Sequence, residues 1–495
     1  MKKHNILKVV LITILVLTLL TWILPAAYYS SGYVDQGRIQ MGIFDLFNYP
    51  FTTISYFGFI VVYVLVIGAF YGVLNKIGAY RMILDSLVKK FKSHEKIVIS
   101  AIMILFAVLT SVCGLQFGLV LFFPFVISLI LLMGYDKTVA ALTVVGSTMI
   151  GIAGTTYGYT NTGLFVTGLG MKIDSCLLGK VAILVVGLAI LIVNTLLYIK
   201  NNKSTVKTVE TKSKKTTKSR TTKTSAKAAK KEEVVTVKND ETNEFVPEKS
   251  SKKVKLVWPL VTVLAILFII TVLSFITWSN SFNNTAFTNA TKAVTEFKIF
   301  GFALFGKLLG TVKEFGTWTV SDLSIAVVLA TLLISLIYKL SIDELLDGAV
   351  SGAKKAIKPA VIVVLVYTCL VITTYHPFQL VIYKAILGLS KKFNIATTGL
   401  VAILASLFNV DPTYAFNSLL PYLVSVYGLG AKTTIAIMFQ SLYGFTMLFA
   451  PTSLFLMCVL SYLDIPYTKW LKLVWKLLLE LFVAFIIVFI FVVLA

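Results

Sequence analysis

Cysteine, histidine and acidic residues are scarce. The 495-residue chain has 4 Cys and 3 His, scattered singly. Isolated thiols make neither a disulfide framework nor a metal site, and separate imidazoles leave metal catalysis without ligands. Asp and Glu total 22 against 45 Lys and Arg. No His, Asp and Glu residues converge, so a membrane enzyme would lack its acid–base groups. No glycine loop of the nucleotide-binding kind is present, which leaves ATP drive within the chain unsupported. The expectation is a non-enzyme that needs no cofactor and no metal.

Apolar residues are abundant: 58% of the chain is hydrophobic, with mean hydropathy +0.90. Soluble domains stay near 45–50% apolar. Many runs here approach the ~20 residues that cross a bilayer. The chain reads as an all-α polytopic membrane protein with about 10–12 spans. Its first 30 residues imitate a signal peptide, but the apolar run Ile6 to Leu24 exceeds a typical signal core and reads as the first span.

Formal net charge is +23, much of it in one tract: Lys200 to Lys255 holds 17 Lys/Arg and 7 Asp/Glu. Such a segment buries too little surface to fold. By the positive-inside rule it reads as a disordered cytoplasmic linker, able to touch anionic lipid and not a nucleic-acid binder. Lys2, Lys3 and Lys8 place the N-terminus inside as well. The expected organisation is a first transmembrane repeat at 1–199, the linker at 200–256 and a second repeat at 257–495.

Features recur in order on both sides of the linker. An aromatic piece, FDLFNYPFTTISYFG (44–58), matches EFKIFGFALFGKLL (296–309). ILDSLVKK (83–90) matches LLDGAVSGAKK (345–355). PFVISLILLMGYDKTVAA (124–141) matches PYLVSVYGLGAKTTIAI (421–437). Each last segment leads into an apolar helix that meets a polar break: GTTYGYTNTG (154–163) in one half, APTS (450–453) in the other.

Non-helical backbone at membrane depth survives only where protein buries it or where it lines a cavity. Paired interruptions in two halves point to a transporter's substrate site. The candidate substrate-binding residues are therefore Thr155, Thr156, Asn161 and Thr162 at the first break, and Pro451, Thr452 and Ser453 at the second. A second polar cluster, NVDPTYAFNS (409–418), adds Asn409, Thr413 and Asn417. Asp411 in that cluster is the best-placed acidic residue for a coupling ion; it reads equally as a wet loop residue or a helix cap. The matching hairpin of the first half is SVCGLQFGLVLFF (111–123), with Gln116 as its polar tip and second coupling-ion candidate. His376 reads as structural.

At these residues the chain resembles the ion-transporter superfamily, and within it the YfcC-like branch. Anaerobic C4-dicarboxylate carriers and aminobenzoyl-glutamate transporters are its relatives. WILPAAYY (22–29), TNTG (160–163) and above all FAPTSLFLMCVLSYLDIPYTKWLK (449–472) carry the resemblance. Where the branch has an acidic pair in the first hairpin, this chain has GLQFG. VDPTY replaces its Ser-Gly-Ser-Gly tip, and SLYGF its Gly-Asp-Gly. The resemblance implies a homodimeric carrier with a scaffold and a moving transport domain, often of basic amino acids.

The expected function is secondary transport of a small polar metabolite, an amino acid or small carboxylate, by an elevator-type mechanism. A Na+ or H+ gradient, or exchange, would drive it, in the cytoplasmic membrane. A rocker of two six-span halves is the competing carrier; a membrane scaffold or enzyme is the non-carrier alternative.

Overall fold

A computed structural model describes residues 5–202, 247, 256–310, 312–390 and 392–494. The basic linker expected at 200–256 lies almost wholly outside the described residues. The architecture is all-α, with one two-stranded ribbon, Ala27–Tyr29 and Tyr33–Asp35. Eight described helices are long and apolar enough to cross a membrane, and a bent pair makes a ninth candidate. This is fewer than the sequence suggested, because several apolar runs form hairpin arms and half-helices.

In chain order the first elements are α1 (Asn5–Ile23), α2 (Ile43–Lys76), α3 (Gly78–Phe91), α4 (Glu95–Cys113), α5 (Phe117–Val120) and α6 (Phe123–Leu132). There follow α7 (Lys137–Ala153), α8 (Tyr159–Leu169) and α9 (Leu177–Asn201). The middle holds α10 (Trp258–Phe275), α11 (Trp278–Phe282), α12 (Ala286–Glu296) and α13 (Leu304–Leu309). The last series is α14 (Val320–Ile337), α15 (Ile342–Tyr375), α16 (Gln379–Leu387), α17 (Ile395–Phe408), α18 (Pro412–Tyr427), α19 (Lys432–Thr446), α20 (Leu454–Tyr462) and α21 (Tyr467–Leu494).

The aromatic piece 44–58 is the first part of α2, which runs unbroken for 34 residues. Pro50 lies two turns inside it and removes the amide that would bond the Leu46 carbonyl, yet the helix continues. Its counterpart at 296–309 is instead a turn, Ile299 bridging Phe302, followed by the short α13.

Helices α2 and α15 are both 34 residues long and pack against each other along much of their length. Glycine explains how closely. A Cβ on Gly72 would stand 2.1 Å from the Gly348 carbonyl oxygen, and one on Gly352 would stand 2.0 Å from that of Gly68. Gly68-x-x-x-Gly72 thus crosses Gly348-x-x-x-Gly352 backbone to backbone, the approach that small residues allow between helices in lipid. Farther along, Phe57 stacks on Tyr367 with ring centroids 4.3 Å apart, and the Thr53 and Thr368 hydroxyls lie 3.2 Å apart. His376 ends the pair. Its Nδ1 is 2.7 Å from the Ile39 carbonyl, which can only accept, so Nδ1 carries a proton. Its Nε2 is 2.7 Å from the Tyr49 hydroxyl. The residue ties α2, α15 and the Ile39 loop together, a structural role.

Candidate functional site at the two helix breaks

Both interruptions fall where the sequence put them. α7 stops at Ala153 and α8 starts at Tyr159, so only Gly154 to Gly158 leave the helix. The rest of GTTYGYTNTG forms the first turn of α8. The second break separates α19, ending at Thr446, from α20, starting at Leu454. α7 itself contains a π-helical turn, Leu142–Gly146, a feature frequent near functional sites.

Each break packs against the hairpin of its own half. The first hairpin turns at Gly114, whose φ of +69° suits glycine. Its Ser111 carbonyl accepts from the amides of Thr156 and Gly158, both at 3.0 Å. The Ser111 hydroxyl donates to the Gly154 carbonyl at 2.7 Å. Gln116 Nε2 donates to Asn161 Oδ1 at 2.8 Å, and Asn161 Nδ2 donates to the Thr155 hydroxyl at 2.9 Å. Thr162 returns its hydroxyl to the Gly158 carbonyl at 3.1 Å. The freed backbone groups of this break are thus largely paired within the protein, as burial in hydrocarbon requires.

The second hairpin is α17 and α18, and α18 meets α19 at a bend of 118°. Thr452 donates to the Leu407 carbonyl at 2.9 Å, and Tyr443 donates through its hydroxyl to the Val410 carbonyl at 2.8 Å. Asn409 is 2% exposed and donates to the Ala405 carbonyl at 2.9 Å. Asp411 is the N-cap of α18: Oδ1 accepts the Thr413 amide at 2.8 Å. It therefore stands at the hairpin tip and caps a helix at once. Its side chain and that of Thr413 are partly exposed, whereas Asn417 is fully exposed on α18, away from the break.

The first break is joined to α19, the helix that leads into the second, by residues that the sequence reading passed over. Gln440 on α19 donates through Nε2 to the Thr155 carbonyl at 2.8 Å and to the Ala153 carbonyl at 3.3 Å. Ser441 adds its hydroxyl to Ala153 at 3.1 Å. Two buried hydroxyls flanking the second break, Thr446 Oγ1 and Ser453 Oγ, have no hydrogen-bond partner in the protein, nor has Gln440 Oε1 on α19. Unpaired polar atoms this deep cost about 1–3 kcal/mol each. The signal for Gln440 was present in sequence, as an amide inside the apolar run IAIMFQSLYGF. Thr452 bonds the second hairpin, the Ser453 amide donates to the Ala450 carbonyl at 3.0 Å, and neither side chain hydrogen-bonds Thr156 or Asn161. No group of three or more His, Cys, Asp or Glu that could hold a metal occurs among the described residues.

Two hairpins, two broken helices and a long helix pair define a polytopic membrane protein. The chain belongs to the DcuC family, whose model, described as C4-dicarboxylate anaerobic carrier, matches residues 4–495. A Haemophilus influenzae protein described as uncharacterized is 31% identical over 80 residues, a stretch covering 16% of this chain and 16% of that protein. The crystal structure of the Alcanivorax borkumensis YdaH transporter matches with a TM-score of 0.42 and 13% identity, covering 99% of this chain and 98% of that one. The family makes this chain a secondary transporter rather than an enzyme, in a multi-pass membrane setting.

Proposed function

We propose that the chain is a secondary active carrier of a small polar metabolite, an amino acid or small carboxylate, of the YfcC-like kind, in the cytoplasmic membrane. The observation that carries this is the Gln440 bridge. It unites two broken helices from opposite halves at one point, the arrangement expected of a midplane substrate site. Thr155, Thr156, Asn161, Thr162, Pro451, Thr452 and Ser453 surround the substrate, and Asp411 and Gln116 serve the coupling cation, Na+ or H+. A C4-dicarboxylate, the substrate in the family's description, is one member of the proposed class.

The elevator mechanism has its own support. A cleft of about 100 Å³ lies where α2 and α15 meet α6 and α20, with α15 and α20 packed together beside it. Its walls are mostly apolar, with Val64, Ile67, Phe123 and Val459 among them. In this reading α2 and α15 belong to the fixed scaffold, and the hairpins and broken helices move. The two repeats would run from α1 to α9 and from α10 to α21, on either side of the basic linker. The carrier works as a homodimer.

The test is uptake of labelled amino and organic acids into proteoliposomes, with Na+ and pH gradients imposed separately. Asn161→Ala and Thr452→Ala should each abolish most uptake while insertion stays normal. Uptake unchanged in both variants would remove the breaks from the substrate path.

A further inference from the structure

The Gly316 amide donates to the Ser274 carbonyl at 3.0 Å, which pins the end of α10 to the approach to α14. The chain between them therefore leaves and re-enters at one face of the membrane. Since α10 is long enough to cross, that face is the one opposite the basic linker. Both spans carry exposed apolar side chains that a bilayer would cover, among them Ile266 on α10 and Leu329 on α14.

Between these spans α12 and α13 fold onto each other. A Cβ on Gly306 would stand 2.3 Å from the Thr295 carbonyl oxygen, and the Phe297 and Phe305 ring centroids are 6.1 Å apart. Ring contacts of Phe287 with Trp278 and Phe315 fix the base of this arm. Away from that base it is bare, and α12 buries no residue. On α12, Phe287, Ala290 and Val294 follow one another at helical spacings of three and four, so they share one stripe, with Lys292 on the other side. Phe300 is 105% exposed and Leu308 76%, and Phe302 and Leu304 are exposed beside them. Phe300 has φ +51°, a conformation that bulky residues seldom take, and the turn presents its ring to the surroundings. A contiguous apolar surface of this kind marks a contact with something other than water. Lys292, Lys298 and Lys307 are exposed too, against the single acid Glu296.

We propose that residues 286–309 form an interfacial arm. It lies in the headgroup boundary of the bilayer on the face opposite the linker, with its apolar side toward the acyl chains and its lysines at the level of anionic phosphates. Two observations select lipid as the occupant. The arm hangs from the ends of two spans, so its apolar side continues the surface that lipid covers on α10 and α14. Lysines beside an aromatic and aliphatic stripe match anionic head groups over hydrocarbon, whereas an isologous contact between two copies would set the same lysines near each other. The base of the arm also reaches the first break: Ser281 donates its hydroxyl to the Tyr157 carbonyl at 2.8 Å, and the Phe282 ring stacks on Tyr157 at 5.7 Å. An arm seated in lipid sets the depth at which α11 rests on that break.

The experiment places a nitroxide on the full chain through Phe300→Cys, Leu308→Cys or Lys292→Cys, in a background without the native cysteines. All three positions are exposed, so the fold should tolerate the labels. The protein is held in nanodiscs of phosphatidylcholine with phosphatidylglycerol. Relaxation by oxygen, which concentrates among acyl chains, is compared with relaxation by a water-soluble nickel chelate. Labels at 300 and 308 should respond more to oxygen and lie about 5–10 Å below the phosphates; the label at 292 should respond more to nickel. Adding Lys298→Glu and Lys307→Glu should move the label at 300 toward water, and an unchanged depth overturns the phosphate contact. A nickel-dominated response at 300 and 308 puts the arm in water and overturns the proposal. So does spin–spin broadening at both positions that disappears on dilution with unlabelled chain, which would make a second copy the occupant. An oxygen-dominated response at all three positions overturns it as well, because the arm would then lie within the hydrocarbon and not at its boundary.

Discussion

Gln440 Nε2 lies 2.8 Å from the Thr155 carbonyl oxygen across 285 residues of sequence. That contact places an α19 side chain inside the unwound part of the other half. Gln440→Leu removes the donor and leaves buried carbonyls short of a partner, at about 1–3 kcal/mol. The variant should lower Tm and, if the bridge holds the substrate site in shape, cut proteoliposome uptake sharply as well. Normal uptake with a lowered Tm would make the bridge structural only.

The glycine crossing of α2 and α15 makes a stability prediction. In Gly352→Ala the new methyl would sit 2.0 Å from the Gly68 carbonyl oxygen, which is backbone and cannot rotate away. Overpacking of this kind costs about 1–3 kcal/mol or more. Thermal unfolding in nanodiscs should report it. Gly430→Ala, where nothing lies within 4 Å of the new carbon, should leave Tm unchanged.

Lys358 on α15 pairs with Asp464, in the turn between α20 and α21, at 3.0 Å. Both side chains are about half exposed, so the pair itself is worth at most ~1 kcal/mol. Its interest lies in what it spans, because the proposed sliding seam runs between α15 and α20. Lys358→Ala should barely move Tm. Lys358→Cys with Asp464→Cys, on a background lacking the native cysteines, should lose uptake when bridged by a short thiol crosslinker and regain it on release. Full uptake while crosslinked would show that α15 and α20 do not part during transport.

The long helices, the breaks and the hairpins were legible in sequence because each has a local cause. Apolar length gives the spans, Gly and Thr clusters give the first break, and Pro451 gives the second. The fusion of 44–58 into α2 was not legible: the segment reads as an aromatic piece set before the next span, and only packing on α15 shows one continuous helix. The Gly68 and Gly348 motifs were in plain view, but their partner is set by tertiary contact across about 280 residues. Lys180 was passed over: a single lysine in LLGKVAILVV, in the first turn of α9, is buried in the fold. Ser111 and Gln440 were harder, since one polar residue on an apolar helix more often packs than binds.

Asp411 decides how coupling works. Its carboxylate caps α18 through the Thr413 amide at 2.8 Å and still stands at the tip of the second hairpin, partly exposed. An N-cap tolerates Asn about as well as Asp, so Asp411→Asn should fold and insert normally. If the charge receives the coupling cation, uptake should fall by about tenfold or more and lose its dependence on the Na+ or pH gradient, because a neutral amide cannot balance a cation in a low-dielectric site. Asn409→Ala should cost stability through its lost bond to the Ala405 carbonyl, with gradient dependence intact. Asn417→Ala, on an exposed face, should change neither. Uptake by proteoliposomes under separate Na+ and pH gradients distinguishes these outcomes. If Asp411→Asn transports at the native rate with unchanged ion dependence, the carboxylate is a cap alone. The cation would then have to be held by neutral oxygens, and the unpartnered hydroxyls of Thr446 and Ser453 are the ones available at the second break.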